Sequence, residues 1–82
     1  MYELKFDKKA IDFLNKLDKK DKKRIWNKLQ ECKNEPFRYL KHLENIKGYK
    51  LRVGEYRIII DVDNLIKSLN ILKIGHRKNI YN

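Results

Sequence analysis

The chain is 82 residues long, 41% hydrophobic and 39% charged, with a formal net charge of +10. That length accommodates one modest core, and the hydrophobic share excludes a disordered tail. A lone cysteine, Cys32, excludes an internal disulfide and points to a reducing, cytoplasmic setting.

No apolar run is long enough to span a bilayer, and the N-terminus lacks the basic-then-apolar order of a signal peptide, so no membrane role is expected. The excess of cations predicts salt-sensitive attraction to polyanions, whether nucleic acid or an acidic protein partner.

Tyr2 to Phe6 alternate apolar and polar, as a short first strand does. Asp7 is placed to cap a helix in which Ala10, Phe13, Leu14 and Leu17 recur at helical spacing. The pattern lapses around Asp18 to Asp21, which predicts a bend between two helices. The second helix turns Ile25, Leu29 and Cys32 inward, with Trp26 at the stripe's edge, and ends near Asn34 because Pro36 cannot continue it. Asp18 to Arg24 holds five cations and reads as a solvated helix face, one that also suits a nucleic acid or an acidic partner. Cys32 and His42 read as structural, and a partly exposed Trp26 would suit a partner surface.

From Gly48 onward the period becomes two. Strands are predicted at Tyr49 to Val53, Tyr56 to Val62 and Leu65 to Ile74, with Gly75 breaking the last and Gly75 to Asn82 forming a short tail. Gly54-Glu55 supplies a two-residue loop with glycine in the first central place, as a type II′ turn prefers. Asp63-Asn64 is a second turn, and Asp61 and Asp63 read as strand-edge and turn residues rather than a metal site. The expected fold class is α+β, a two-helix antiparallel hairpin packed on one face of a twisted, mostly antiparallel four-stranded sheet. Residues 1–82 form one such unit.

The loop sets the register. Val53 faces Tyr56 and Arg52 faces Arg57, so Leu51, Val53, Tyr56, Ile58 and Ile60 share one face. Lys50, Arg52, Arg57 and Ile59 share the other. A slip of one residue would bury the cations and expose the isoleucines, so this register is strongly favoured. Like charges directly opposite each other destabilise a sheet. A chain that keeps Arg52 opposite Arg57 is built to hold an anion between them.

At these residues the chain resembles the RelE/ParE superfamily of bacterial and archaeal toxins from toxin–antitoxin pairs. The matching pieces are Lys50-Leu51-Arg52-Val53-Gly54-Glu55-Tyr56-Arg57-Ile58 and the terminal Gly75-His76-Arg77-Lys78-Asn79-Ile80-Tyr81. Pro36, the approach from Leu43 to Gly48 and the order strand, two helices, three strands also fit. The resemblance covers nearly the whole chain and implies one of two activities, the first of which is the leading expectation. RelE-like members cleave messenger RNA in the ribosomal A site by attack of a ribose 2′-hydroxyl on the adjacent phosphate, without a metal or cofactor. ParE-like members poison DNA gyrase. A plain RNA-binding module is a third reading.

The resemblance carries functional roles onto Lys50, Arg52, Arg57, Arg77 and Tyr81, with Lys47, His76 and Lys78 as RNA contacts. It also implies a cognate RelB-like antitoxin, the ribosome with its message, and operator DNA bound only by the toxin–antitoxin complex. Two departures stand out. Gly48 occupies a place where some RelE-like enzymes carry lysine, leaving Lys47 as the substitute, and the sequence has no helix beyond Tyr81.

The residue types suit the chemistry. Cleavage by a 2′-hydroxyl needs a base, charge stabilisation on the phosphorane and a proton for the leaving oxygen. Arg57 and Arg77, with Arg52, suit the second task, because a guanidinium is always charged and grips two phosphate oxygens. Lys50 is the candidate base, since neighbouring cations disfavour its charged form. Tyr81 suits base stacking, orientation of the 2′-hydroxyl or proton movement. His76 has the side chain type that titrates near neutrality. Paired carboxylates, a His/Cys cluster and a glycine-rich phosphate loop are all missing from the sequence.

Overall fold

A computed structural model describes residues 1–44 and 48–80. Strand β1 (Glu3–Phe6) leads into helix α1 (Lys8–Lys16), helix α2 (Lys19–Asn34) and a short helix α3 (Pro36–Tyr39). Four strands follow: β2 (Lys41–His42), β3 (Tyr49–Val53), β4 (Tyr56–Asp63) and β5 (Ser68–His76).

The helix boundaries have local causes. Asp18 is the N-cap of α2, and its Oδ1 accepts the Asp21 backbone N–H at 2.9 Å. The bend is therefore Leu17-Asp18, and Asp21 already lies in the first turn of α2. Asp7 occupies the N-cap position of α1, but its side chain makes no capping bond; its carbonyl accepts the Ile11 N–H at 3.1 Å. Pro36 ends α2 as expected and then opens α3, where a missing N–H costs nothing at the first helical position.

The sheet runs β1-β5-β4-β3-β2, with β1 and β5 parallel and every other pair antiparallel. It has five strands where four were expected. The extra edge strand is β2, in which Lys41 pairs with Lys50 and His42 with Tyr49. Two residues carry too little alternation to announce a strand. His42 is exposed, its ring centroid 4.3 Å from that of Tyr49.

Strand β5 also sits later than expected. Leu65 and Ile66 lie in the connection, 96% and 61% exposed, because Asp63 Oδ1 accepts both of their backbone N–H groups at 3.0 and 3.3 Å. An aspartate closing its own turn in this way outweighs the pull of two apolar residues toward a strand. Gly75 does not break β5. It is buried within the strand, opposite Arg57. A Cβ there would come within 2.9 Å of Ile80 Cδ1, so the lack of a side chain lets Ile80 fold back onto the sheet. Ile80 is 3% exposed, and Lys73 Nζ donates to its carbonyl at 2.9 Å. The described part of the terminal segment is thus docked rather than a loose tail.

One face of the sheet holds the core. Ala10 and Leu14 of α1 and Ile25, Leu29 and Cys32 of α2 pack with Leu51, Val53, Ile58, Ile60, Leu69, Ile71 and Ile74. Burying each large aliphatic side chain contributes roughly 1.5–3 kcal/mol. Burial pushes the Cys32 thiol up to about 11, so it packs as a small inert hydrophobe. No described helix is long and apolar enough to cross a membrane.

Candidate phosphate-binding site

The β3–β4 hairpin has the register its sequence dictates: Val53 opposite Tyr56, Arg52 opposite Arg57, Leu51 opposite Ile58 and Lys50 opposite Ile59. Gly54 adopts φ +57, and Lys67 is the one described non-glycine residue with positive φ. Positive φ at the first central residue alone is the type II′ pattern. The turn puts Leu51, Val53, Ile58 and Ile60 into the core. It leaves Lys50, Arg52 and Arg57 on the side away from α1 and α2.

Those three cations meet there. Together with Tyr39 and Lys41 they line a depression of about 200 Å³. Like charges face each other on neighbouring rungs, Lys41 against Lys50 and Arg52 against Arg57. Among the described residues, no carboxylate forms an ion pair with any of these four cations. Arg57 Nη1 donates to the carbonyls of Gly54 and Tyr56 at 2.7 and 2.8 Å, which fixes the guanidinium beside its own turn. One terminal nitrogen makes both bonds, so its other N–H groups remain for an anion.

The other residues singled out from the sequence are placed differently. Arg77 is at the hairpin tip, where its backbone N–H donates to the Glu55 carbonyl at 2.8 Å and its Nε pairs with Glu55 Oε2 at 2.9 Å. It does not line the depression. His76 pairs with Tyr56, so it belongs to the rung on the core side, and the two rings meet edge to face with centroids 6.2 Å apart. Its Nε2 is 3.8 Å from Glu55 Oε2, while its Nδ1 accepts the Lys78 backbone N–H at 3.4 Å. Lys78 itself is exposed. Lys47 and Tyr81 lie outside the described residues.

Tyr39, Lys41 and Glu55 were not singled out from the sequence as site residues. Tyr39 and Lys41 reach the depression through a one-turn helix and a two-residue strand, neither of which has a readable period. Glu55 reads only as a turn residue, and its pairing with Arg77 depends on how the chain continues after β5.

A second surface lies between α1 and α2. Ile11, Leu14, Asn15, Lys19, Lys22, Lys23 and Trp26 line an open, largely apolar groove of about 440 Å³. Trp26 stacks on Phe6 at 6.2 Å yet stays 45% exposed.

A sequence profile described as the ParE toxin of type II toxin-antitoxin system, parDE, matches residues 4–81. The chain belongs to this toxin family. It is a member of the RelE/ParE superfamily, and solved structures of the RelE branch share its fold. A RelBE toxin–antitoxin complex from Mycobacterium tuberculosis matches with a TM-score of 0.83 at 26% identity, covering 93% of this chain and 98% of that one. An archaeal RelE–RelB complex from Pyrococcus horikoshii OT3 matches with a TM-score of 0.80 at 27% identity, covering 95% and 97%. A RelB–RelE complex from Methanococcus jannaschii does so with a TM-score of 0.74 at 27% identity, covering 95% of each chain. No curated protein sequence matches the toxin.

Proposed function

We propose that this toxin is a ribosome-dependent, metal-free endoribonuclease that cuts messenger RNA in the ribosomal A site. One observation carries the reading: Lys50, Arg52 and Arg57 converge with Tyr39 and Lys41 around one depression, unneutralised by any described carboxylate. Such a cluster is costly to the fold and useful to a phosphate.

In this reading Arg57, held rigid by its turn, and Arg52 grip the scissile phosphate and stabilise the phosphorane. Lys50, flanked by Lys41 and Arg52, takes the proton of the 2′-hydroxyl as its oxygen bonds to phosphorus; the bond to the 5′-oxygen breaks, and water protonates that leaving oxygen. Arg77 joins them when RNA arrives. Its exposed pair with Glu55 contributes about 0–1 kcal/mol, so exchanging a carboxylate for a phosphate costs little. Tyr81, following the docked Ile80, orients the ribose or the base. Lys47, His76 and Lys78 are the further candidate contacts to the RNA backbone. The ribosome presents the message in a reactive geometry, a contribution of several kcal/mol in favourable cases.

The proposed protein partner is a cognate RelB-like antitoxin, as in the complexes from Mycobacterium tuberculosis and Pyrococcus horikoshii. An acidic segment that folds on binding matches the net charge of +10 and the groove rimmed by Lys19, Lys22 and Lys23. Operator DNA is bound only by the toxin–antitoxin pair, and the site of action is the cytoplasm, where the ribosomes are.

The family description names ParE, and that favours a second reading as a DNA gyrase inhibitor. Adding the purified toxin to translating ribosomes and mapping message ends separates the readings. New ends within the A-site codon, carrying cyclic phosphate and 5′-hydroxyl termini, are expected. Intact message with arrested gyrase supercoiling would replace nuclease by gyrase poison. RNA binding with neither effect would leave a binding module.

A further inference from the structure

The cation cluster is wider than one phosphate needs. Lys41, Lys50 with Arg52, and Arg57 lie on three adjacent strands, β2, β3 and β4. Neighbouring strands are ~4.8 Å apart, so the row extends about 10 Å across the sheet. Charge-assisted bonds to phosphate measure roughly 2.7–2.9 Å. Arg57 is bonded back to its own turn, so a phosphate it grips lies two strands from Lys41, with Lys50 and Arg52 on the strand between them.

The β2 end has its own equipment. Lys41 is exposed and sits opposite Lys50, a like-charge pair that the fold gains nothing by keeping. Tyr39 shares the same wall, and among the described residues its hydroxyl makes no hydrogen bond. Lys28 Nζ lies 5.0 Å and the Arg38 guanidinium 5.7 Å from the centre of its ring. Those cations engage the Tyr39 ring and hold it in place beside the depression.

We infer that Tyr39 and Lys41 form a second phosphate subsite, which holds the linkage next to the one being cut. The inference rests on the nuclease reading and extends it, because it makes the toxin grip two consecutive phosphates across β2–β4. Lys41 supplies charge and the Tyr39 hydroxyl donates a hydrogen bond to a non-bridging oxygen. No bond is made or broken at this subsite; it positions the RNA strand.

The test uses 2′-O-methyl trinucleotides, which lack the nucleophile and cannot be cut. One carries two phosphodiesters, and two others each have one linkage replaced by an uncharged methylphosphonate. Affinities for the full-length toxin are measured by calorimetry at low salt. Wild type is expected to bind the doubly charged strand about tenfold more tightly than either singly charged one, the gain from one charge-assisted contact.

Lys41→Gln, a change at an exposed position, should bring that ratio close to one and lower the salt dependence by about one released counterion. Tyr39→Phe keeps the ring against Lys28 and Arg38 and should remove part of the ratio. Arg57→Ala should weaken all three strands. A wild-type ratio near one, or a full ratio retained in Lys41→Gln, overturns the second subsite and leaves the nuclease reading standing. Failure of wild type to bind any of the three strands also overturns the second subsite, while the nuclease reading stands or falls by message cleavage on ribosomes.

Discussion

Strands β3 and β4 present two unlike faces built from alternate residues of the same backbone. Toward the helices, Leu51, Val53, Ile58 and Ile60 are buried against α1 and α2. On the opposite side, Lys50, Arg52 and Arg57 stand beside Lys41 with like charges on facing positions. Each large buried side chain stabilises the fold by roughly 1.5–3 kcal/mol. Each like-charge pair destabilises it by about 0.2–1 kcal/mol. The apolar face is strong enough to carry the repulsion of the other, and this allows a small domain to display so dense a positive surface.

This contrast can be broken from either side. Ile58 is fully buried, so Ile58→Ala should lose about 2–5 kcal/mol of stability. A urea melt would record it as a lower midpoint with an unchanged slope, and a loss under about 1 kcal/mol would contradict the account of the buried face. Arg57→Ala should behave in the opposite sense. Message cleavage on ribosomes is expected to slow by about 10²–10³-fold, while the melt shifts by only about 1 kcal/mol from the lost bonds to Gly54 and Tyr56.

Tyr56 links the two layers, since its hydroxyl donates to Asp21 Oδ2 at 2.9 Å. Tyr56→Phe should cost about 1 kcal/mol at neutral pH. The hydrogen bond to Asp21, followed by partial burial, raises the Tyr56 phenol above its ordinary value. A raised pKa in the folded state gives stability that is complete below the unfolded value, about 10. That stability is lost as pH rises through the folded value. Urea melts from neutral to alkaline pH should therefore show wild type and Tyr56→Phe converging.

The smallest effect should have the reverse sign. Arg52→Gln removes one partner of a repulsive pair and should raise stability by about 0.2–1 kcal/mol at low salt. The gain should shrink as salt is added. A destabilised Arg52→Gln would mean the pair is not under repulsion.

Much of this was legible in the residues. The period-two pattern around Gly54 defined the hairpin register and which cations share a face, because a shift of one residue inverts burial. Other parts depended on distant pairings. Strand β2 exists only because Lys41 and His42 meet Lys50 and Tyr49, and that pairing brings Tyr39 and Lys41 into the site. Gly75 invited a conformational reading, as a strand breaker, when its role is to leave room for Ile80. Leu65 and Ile66 look like strand residues by hydropathy, yet the carboxylate of Asp63 holds them in a turn. Arg77 has the right chemistry, but its attachment to Glu55 follows from the path of the chain after β5.

The parallel pairing of β1 with β5 has a consequence for synthesis. While the chain is nascent, Glu3–Phe6 has no sheet partner until Ser68–His76 clears the exit tunnel, and Leu69, Ile71 and Ile74 are missing from the core until then. Closure is therefore delayed until residue 76 has emerged. A ribosome partway through those codons thus does not carry a folded copy on its own nascent chain.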